Sequence, residues 1–327
     1  MAMLSRVADN LYWMARYLER AEQSARLLGV NLNVMIERSS AAAAGHWQRV
    51  LEALWLSGGA KEEEGAPSVL DERVLRDLVF ARDRYTSVFG CVAAARHNAR
   101  QVREEISAES WECINRLYLR MRGTDPARAG ATQLFDFLQS VVEALYLVRG
   151  TMDGTMSHGE GWRFIRVGQH IERAMAAARL LDVYLTPIEG AQGTAETPPH
   201  NFLDWVGLLN SCSAFEPYCK SYAHGVEARG ILEFLLLNAE FPHSIRYCVD
   251  CVQHDLGDIA IAAGQRAGRS QRLAGKLQAQ LNFGHVDDIM GGDLGAYLRG
   301  IEQQCLEIHD AIYQSYILYS LDDALIA

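Results

Sequence analysis

The sequence predicts an all-α protein, a helical bundle made of two duplicated halves related by a pseudo-twofold axis. Three observations lead there. The chain has 327 residues but only seven prolines, and apolar residues recur along most of it with a period of about 3.6. Strand signals are missing, with no sustained alternation and no Asn-Gly hairpin turn. The third observation is a repeat. Residues 17–32 (YLERAEQSARLLGVNL) and 170–185 (HIERAMAAARLLDVYL) lie 153 positions apart, and nine of their sixteen aligned residues are identical. A second pair, LVFARDRYTSVFGCV (78–92) and LLLNAEFPHSIRYCV (235–249), lies 157 apart and matches Leu78 to Leu235, Ser87 to Ser244, Cys91 to Cys248 and Val92 to Val249. Two segments in the same order argue for duplication of a whole helical unit. So long a period is no solenoid.

In chain order, the pattern predicts helices at 4–37, 42–57, 70–82, 86–106, 109–121 and 131–152 in a first half, residues 1–155. The second half, 156–327, repeats the plan at 161–186, 201–214, 216–239, 243–268, 270–282 and 293–320. The segments GGAKEEEGAPS (58–68) and TPIEGAQGTAETPP (186–199) read as exposed connectors, and DGTMSHGEG (153–161) joins the halves.

Composition narrows the function. A hydrophobic content of 49% supports a real core, and a net charge of −10 speaks against nucleic acid, whose phosphates need basic surface. No apolar run approaches the roughly 18 residues of a membrane span, and the charged N-terminus is not a signal peptide. Seven scattered cysteines fit reduced thiols in the cytoplasm better than a disulfide frame.

On the first repeated helix, Leu4, Val7, Leu11, Leu18, Ala25 and Leu32 form the expected core stripe. A second stripe, Arg6, Asn10, Trp13, Tyr17, Arg20 and Ser24, mixes arginine with aromatic rings as recognition surfaces do. The duplicate helix places Arg163, Arg166, His170 and Arg173 at equivalent positions. Guanidinium forks suit carboxylate or phosphate, so these residues are candidates to hold an anionic small molecule or peptide. The same arginines equally suit ion pairs that fix the packing of neighbouring helices. Adjacent residues point about 100° apart on a helix, so Glu19 and Arg20, like Glu172 and Arg173, must each find a partner elsewhere. Glu19 or Glu172 beside His170 would be the general acid or base of a stand-alone enzyme.

A further polar cluster follows in RHNARQVREEISAESWECINR (96–116). Ser107 reads as a helix cap with Glu109 in the first turn, leaving Asn98, Arg100 and Arg103 as candidate ligand contacts. No metal or cofactor is expected. Cys248-x-x-Cys251 stands without a second pair, and Pro242 breaks the Glu240-x-x-His243 spacing that would otherwise suggest di-iron. No phosphate-binding glycine loop and no nucleophile elbow occur.

MLSRVADNLYWMARYLERAEQSARLL, ARHNARQVREEISAESWECIN, the second HIERA helix and EFPHSIRYC together resemble the alpha-E domain family, over essentially the entire chain. Two positions depart from the usual pattern: His243 stands where arginine is common, and His97 precedes Asn98 where glutamate is familiar. The resemblance implies a bacterial protein that partners a circularly permuted ATP-grasp amide ligase, with a transglutaminase-like peptidase as a further partner. It implies service in small-peptide or peptide-tag synthesis. A pure scaffold is the alternative that the residues leave open, beside the stand-alone enzyme.

Overall fold

The computed structural model describes residues 3–36, 47, 49–54, 72–124, 131–185, 202–222, 225–264 and 268–318. Among them there is no strand. The helices are α1 (Ser5–Ile36), α2 (Glu72–Phe80), α3 (Val88–Gln101), α4 (Ala108–Gly123), α5 (Ala131–Thr155) and α6 (Glu160–Leu185). They continue as α7 (Phe202–Ser211), α8 (Phe215–Ser221), α9 (Ala228–Leu237), α10 (Ile245–Ala262), α11 (Arg269–Asn282), α12 (Val286–Gly291) and α13 (Leu294–Ile312), which ends in a π-helical turn, Tyr313–Ile317. A further helical stretch covers 49–53, within the helix predicted at 42–57. The rest of that prediction and the connectors 58–68 and 186–199 lie outside the described residues.

Starts are written locally. Ser87, Ser107, Ser244 and Asp293 each sit in extended backbone and accept from an amide three residues on, capping α3, α4, α10 and α13. Two predicted elements differ from the structure. The helix expected over 216–239 is divided into α8 and α9, because the chain passes through Gly225 at φ +103°, a conformation that favours glycine. The short helix α12 falls in a stretch where no helix was expected.

The two longest central helices, α1 and α6, pack along each other, and the remaining elements arrange around them in parallel ways. Helices α3 and α5 rest on α1, as α10 and α13 rest on α6; α4 bridges α3 and α5, as α11 bridges α10 and α13. The central contact is close. A Cβ on Gly168 of α6 would lie 2.4 Å from the Tyr12 carbonyl oxygen of α1, so only hydrogen fits there. One continuous apolar core runs through both groups of helices, including Leu11, Leu28, Val92, Ile171, Leu181 and Val249. Of the predicted core stripe, Val7, Leu11, Leu18, Ala25 and Leu32 are buried. Leu4 is not: it precedes the first turn and is 64% exposed.

Candidate functional site

Because α1 lies between α3, α5 and α6, it is enclosed on nearly every side, and its polar residues must be answered inside the protein. Glu19 and Glu172 are both almost fully buried. Each turns away from its own neighbouring arginine and meets the arginine of the other helix. Arg173 donates to both Glu19 oxygens, from Nε at 2.7 Å and Nη2 at 2.8 Å. Arg20 donates from Nε to Glu172 Oε1 at 2.6 Å. The two Glu-Arg motifs thus exchange partners across the α1–α6 contact.

The shells around the two carboxylates are completed differently. Glu172 Oε2 accepts from Arg16 Nε at 2.7 Å, and the Arg16 guanidinium lies 4.7 Å from the Trp13 ring centroid. Glu19 instead accepts from Arg149 of α5 at 2.9 Å and from the Gln23 amide at 2.9 Å. Arg149 also pairs with Glu22, which pairs in turn with Arg26. Gln169, with its amide turned so that its oxygen accepts, receives hydrogen bonds of 2.8 Å from both Arg173 and Arg149. A fourth Arg173 proton, from Nη1, goes to the Pro242 carbonyl at 3.0 Å. Glu19 therefore accepts four hydrogen bonds, the capacity of a carboxylate.

Electrostatics follow from this packing. Burial alone would raise the pKa of Glu19, but Arg173 and Arg149 outweigh it and hold the carboxyl well below its ordinary value. Burial acts on Glu172 in the same sense, and Arg16 and Arg20 again overcome it. His170 is driven the other way: burial, then repulsion by Arg173 and Arg166, keeps its imidazole neutral far below the usual titration range. Its Nδ1 has no hydrogen-bond partner among the described residues, and Tyr247 meets the ring edge-on at 5.9 Å.

The predicted site residues thus fall into separate places. Glu19, Glu172, Arg20 and Arg173 come together, with Trp13 on Arg16 and the Tyr17 ring 5.8 Å from the Arg20 guanidinium. Arg163 and Arg166 turn to α10, where both engage Asp255 and Arg163 also engages Asp258. Arg6 and Arg100 are exposed, Asn98 is half-buried, and Arg103 lies 4.9 Å from the Trp111 ring, outside the central network. Ser107 caps α4, as its spacing suggested. Sequence reasoning missed Arg16, Glu22, Arg26 and Arg149. The first three looked like an ordinary polar helix, and Arg149 lies 130 positions from Glu19. The only available signal was that position 16 and its repeat counterpart Gln169 are both polar.

Two clefts flank this network. Both are shallow and open to solvent: the larger has a volume of about 60 Å³ beside Arg20 and Glu172, and the smaller about 30 Å³ beside Glu19, Glu22 and Arg149. Among the described residues no group of three or more His, Cys, Asp or Glu side chains could hold a metal. Cys91 and Cys248 are buried, and burial pushes both thiols up, Cys91 to about 12. No described helix is long and apolar enough to cross a membrane.

No solved structure matches the chain. Among curated proteins, one from Mycobacterium bovis is 23% identical over 329 aligned positions, covering 94% of this chain and 36% of that protein. One from Mycobacterium tuberculosis aligns with the same identity and coverage, and both are described only as uncharacterised. The chain therefore spans about a third of the length of these relatives. The family model for alpha-E, described as a predicted alpha-helical domain with a conserved ER motif, matches residues 3–317. The chain belongs to the alpha-E family.

Proposed function

We propose that this chain is a non-catalytic helical partner of an ATP-grasp amide ligase, built from two duplicated halves (1–155 and 156–327) that a Glu-Arg exchange clamps together. The observation that carries the non-catalytic part is the burial of both central carboxylates against arginines. Glu19 and Glu172 are buried and ion-paired, and their pKa values are lowered, whereas a general acid or base must carry a proton near the operating pH and reach a substrate. His170 is buried and held neutral, with no carboxylate to orient it. The reading of two halves is supported by the exchange itself, in which Glu19 meets Arg173 and Glu172 meets Arg20, as self-complementary contacts do about a twofold axis. It is supported too by the matching order of packing around α1 and α6.

The partnership with a ligase comes from the family resemblance, and a transglutaminase-like peptidase is the second partner it suggests. The much longer mycobacterial relatives are compatible with a domain that works alongside other domains. Incubating the ATP-grasp ligase with ATP and candidate substrates, with and without this chain, tests the reading through ATP turnover and product mass. A condensed product that forms only in its presence is expected. Identical turnover and product without it would overturn the partnership, and amide chemistry by this chain alone would overturn the non-catalytic role.

A further inference from the structure

Away from the Glu-Arg exchange, α3 and α4 carry a line of arginines interleaved with aromatic rings. The Arg82 guanidinium lies 5.6 Å from the Phe89 ring centroid, and Phe89 stacks on Tyr118 at 5.6 Å. The Arg96 guanidinium lies 4.5 Å from the Tyr118 centroid and 5.5 Å from that of Trp111, and Arg103 lies 4.9 Å from the same Trp111 ring. Arg96 Nε donates at 2.7 Å to Asn115, an amide and not a carboxylate. Among the described residues none of Arg82, Arg96, Arg100 and Arg103 makes an ion pair. The segment 82–122 holds eight arginines against five acidic residues in a chain of net charge −10, so cationic groups gather here. A helix can take this place without them. Helix α10 rests on α6 as α3 rests on α1, and 157 positions on from Arg96, Arg100 and Arg103 it carries Gln253, Gly257 and Ala260.

A guanidinium stacked on a ring uses its face and keeps its edge, where the N–H donors point. Held by the rings, such side chains lose less freedom when they take a carboxylate. Arginine together with Trp and Tyr is also the composition of protein-binding hot spots. Helix α3 has 14 residues and is about 20 Å long, the reach of about six residues of extended chain. Exposed Glu104, Glu105, Glu109 and Glu112 follow the arginines in the chain, and they repel an unbroken phosphate backbone more than a peptide whose carboxylates are spaced. We infer that this face of α3 and α4 docks an acidic peptide segment of another protein. The segment lies along α3, its carboxylates met by Arg82 at one end and by Arg100 and Arg103 at the other. The inference is independent of the ligase reading.

The test is calorimetric titration of the full chain with hexaglutamate and with hexathymidylate, an acidic peptide and a short nucleic acid of comparable reach. Hexaglutamate is expected to bind the more tightly of the two. Arg100→Gln combined with Arg103→Gln, both at exposed positions, should weaken hexaglutamate about tenfold or more, through lost charge-assisted hydrogen bonds, with far-UV circular dichroism unchanged. Arg103→Lys keeps the charge but loses the planar fork and its stack on Trp111, and should weaken binding about threefold or more. Arg6→Gln combined with Lys276→Gln removes the same charge from exposed positions elsewhere and should leave affinity within about twofold. No binding of hexaglutamate, tighter binding of hexathymidylate, full affinity in Arg103→Lys, or an equal loss in the Arg6 and Lys276 variant would each overturn the proposal. Because the ligase is absent, failure here is distinct from failure of the partnership.

Discussion

Glu19 and Glu172 occupy equivalent places in the two similar segments 17–32 and 170–185 and hold reciprocal partners, yet their surroundings differ. Around Glu19 the shell is closed: Arg173, Arg149, Gln23 and Gln169 form a continuous network. Around Glu172 it is more open: among the described residues that carboxylate accepts two hydrogen bonds, from Arg16 and Arg20, against four on Glu19. The difference teaches that the exchanged pair is what both sides require to stay packed. The shell beyond it differs, a strut on one side and a rim on the other.

The largest expected effect comes from breaking the comparison outright. Glu19→Gln leaves Arg173 and Arg149 without their shared carboxylate in the interior, at a cost of about 3–5 kcal/mol, as for other buried pairs that lose one partner. Glu172→Gln should cost less, because Glu172 accepts two hydrogen bonds where Glu19 accepts four. Denaturant unfolding of both variants measures this, and a larger loss for Glu172→Gln would reverse our assignment of closed and open sides.

Acid should expose the same difference more gradually. His170 and His243 are held well below 6.5 by burial and by Arg173, and His309, buried and near Arg16, falls to about 4. Groups with depressed folded pKa values contribute stability above the unfolded value and lose it as the pH falls. The melting temperature should therefore decline below about pH 6.5 as the unfolded histidines take up protons. It should fall further below about 4.5, where Glu19 and Glu172 join. Burial raises Asp255 and Glu302 in the opposite sense, which offsets a part of the acid loss. A melting temperature that rises on acidification from pH 7 would contradict this.

Intermediate effects belong to geometry and to the outlying arginines. Gly168→Ala forces a methyl against the Tyr12 carbonyl and should destabilise by about 1–3 kcal/mol, as overpacking does, by spreading α1 from α6. The smallest effect is expected at Arg163→Gln, since that ion pair lies in a part-exposed cluster with Asp255 and Asp258. Its loss should cost no more than about 1 kcal/mol. A cost equal to that of Glu19→Gln would mean that α10 is held as tightly as the central pair.

The all-helical fold, the Ser107 cap and the separation of Glu19 from Arg20 were legible in the sequence because each depends on local geometry. Periodicity marks helices, a serine three residues before a free amide caps one, and adjacent helical residues diverge in direction. What those residues meet was not legible. Arg163 and Arg166 looked like anion-binding residues and are paired with Asp255, 92 and 89 positions away. Arg16 read as surface because arginine usually is, and it is buried only because α1 is enclosed on nearly every side. Long-range pairing depends on topology, which a single helix does not carry. The closed and open shells differ through Arg149, contributed by an element distant in sequence.

The most direct measurement is a set of three double-mutant cycles in unfolding free energy, pairing Glu19 with Arg173, Glu172 with Arg20, and Glu19 with its chain neighbour Arg20. The account predicts coupling of about 0.5–3 kcal/mol in the first two cycles. The third should be the weakest of the three, because the Glu19 and Arg20 side chains make no hydrogen bond or ion pair with each other. Strong coupling between Glu19 and Arg20, with none across to Arg173, would place the partners within one helix and contradict the exchange.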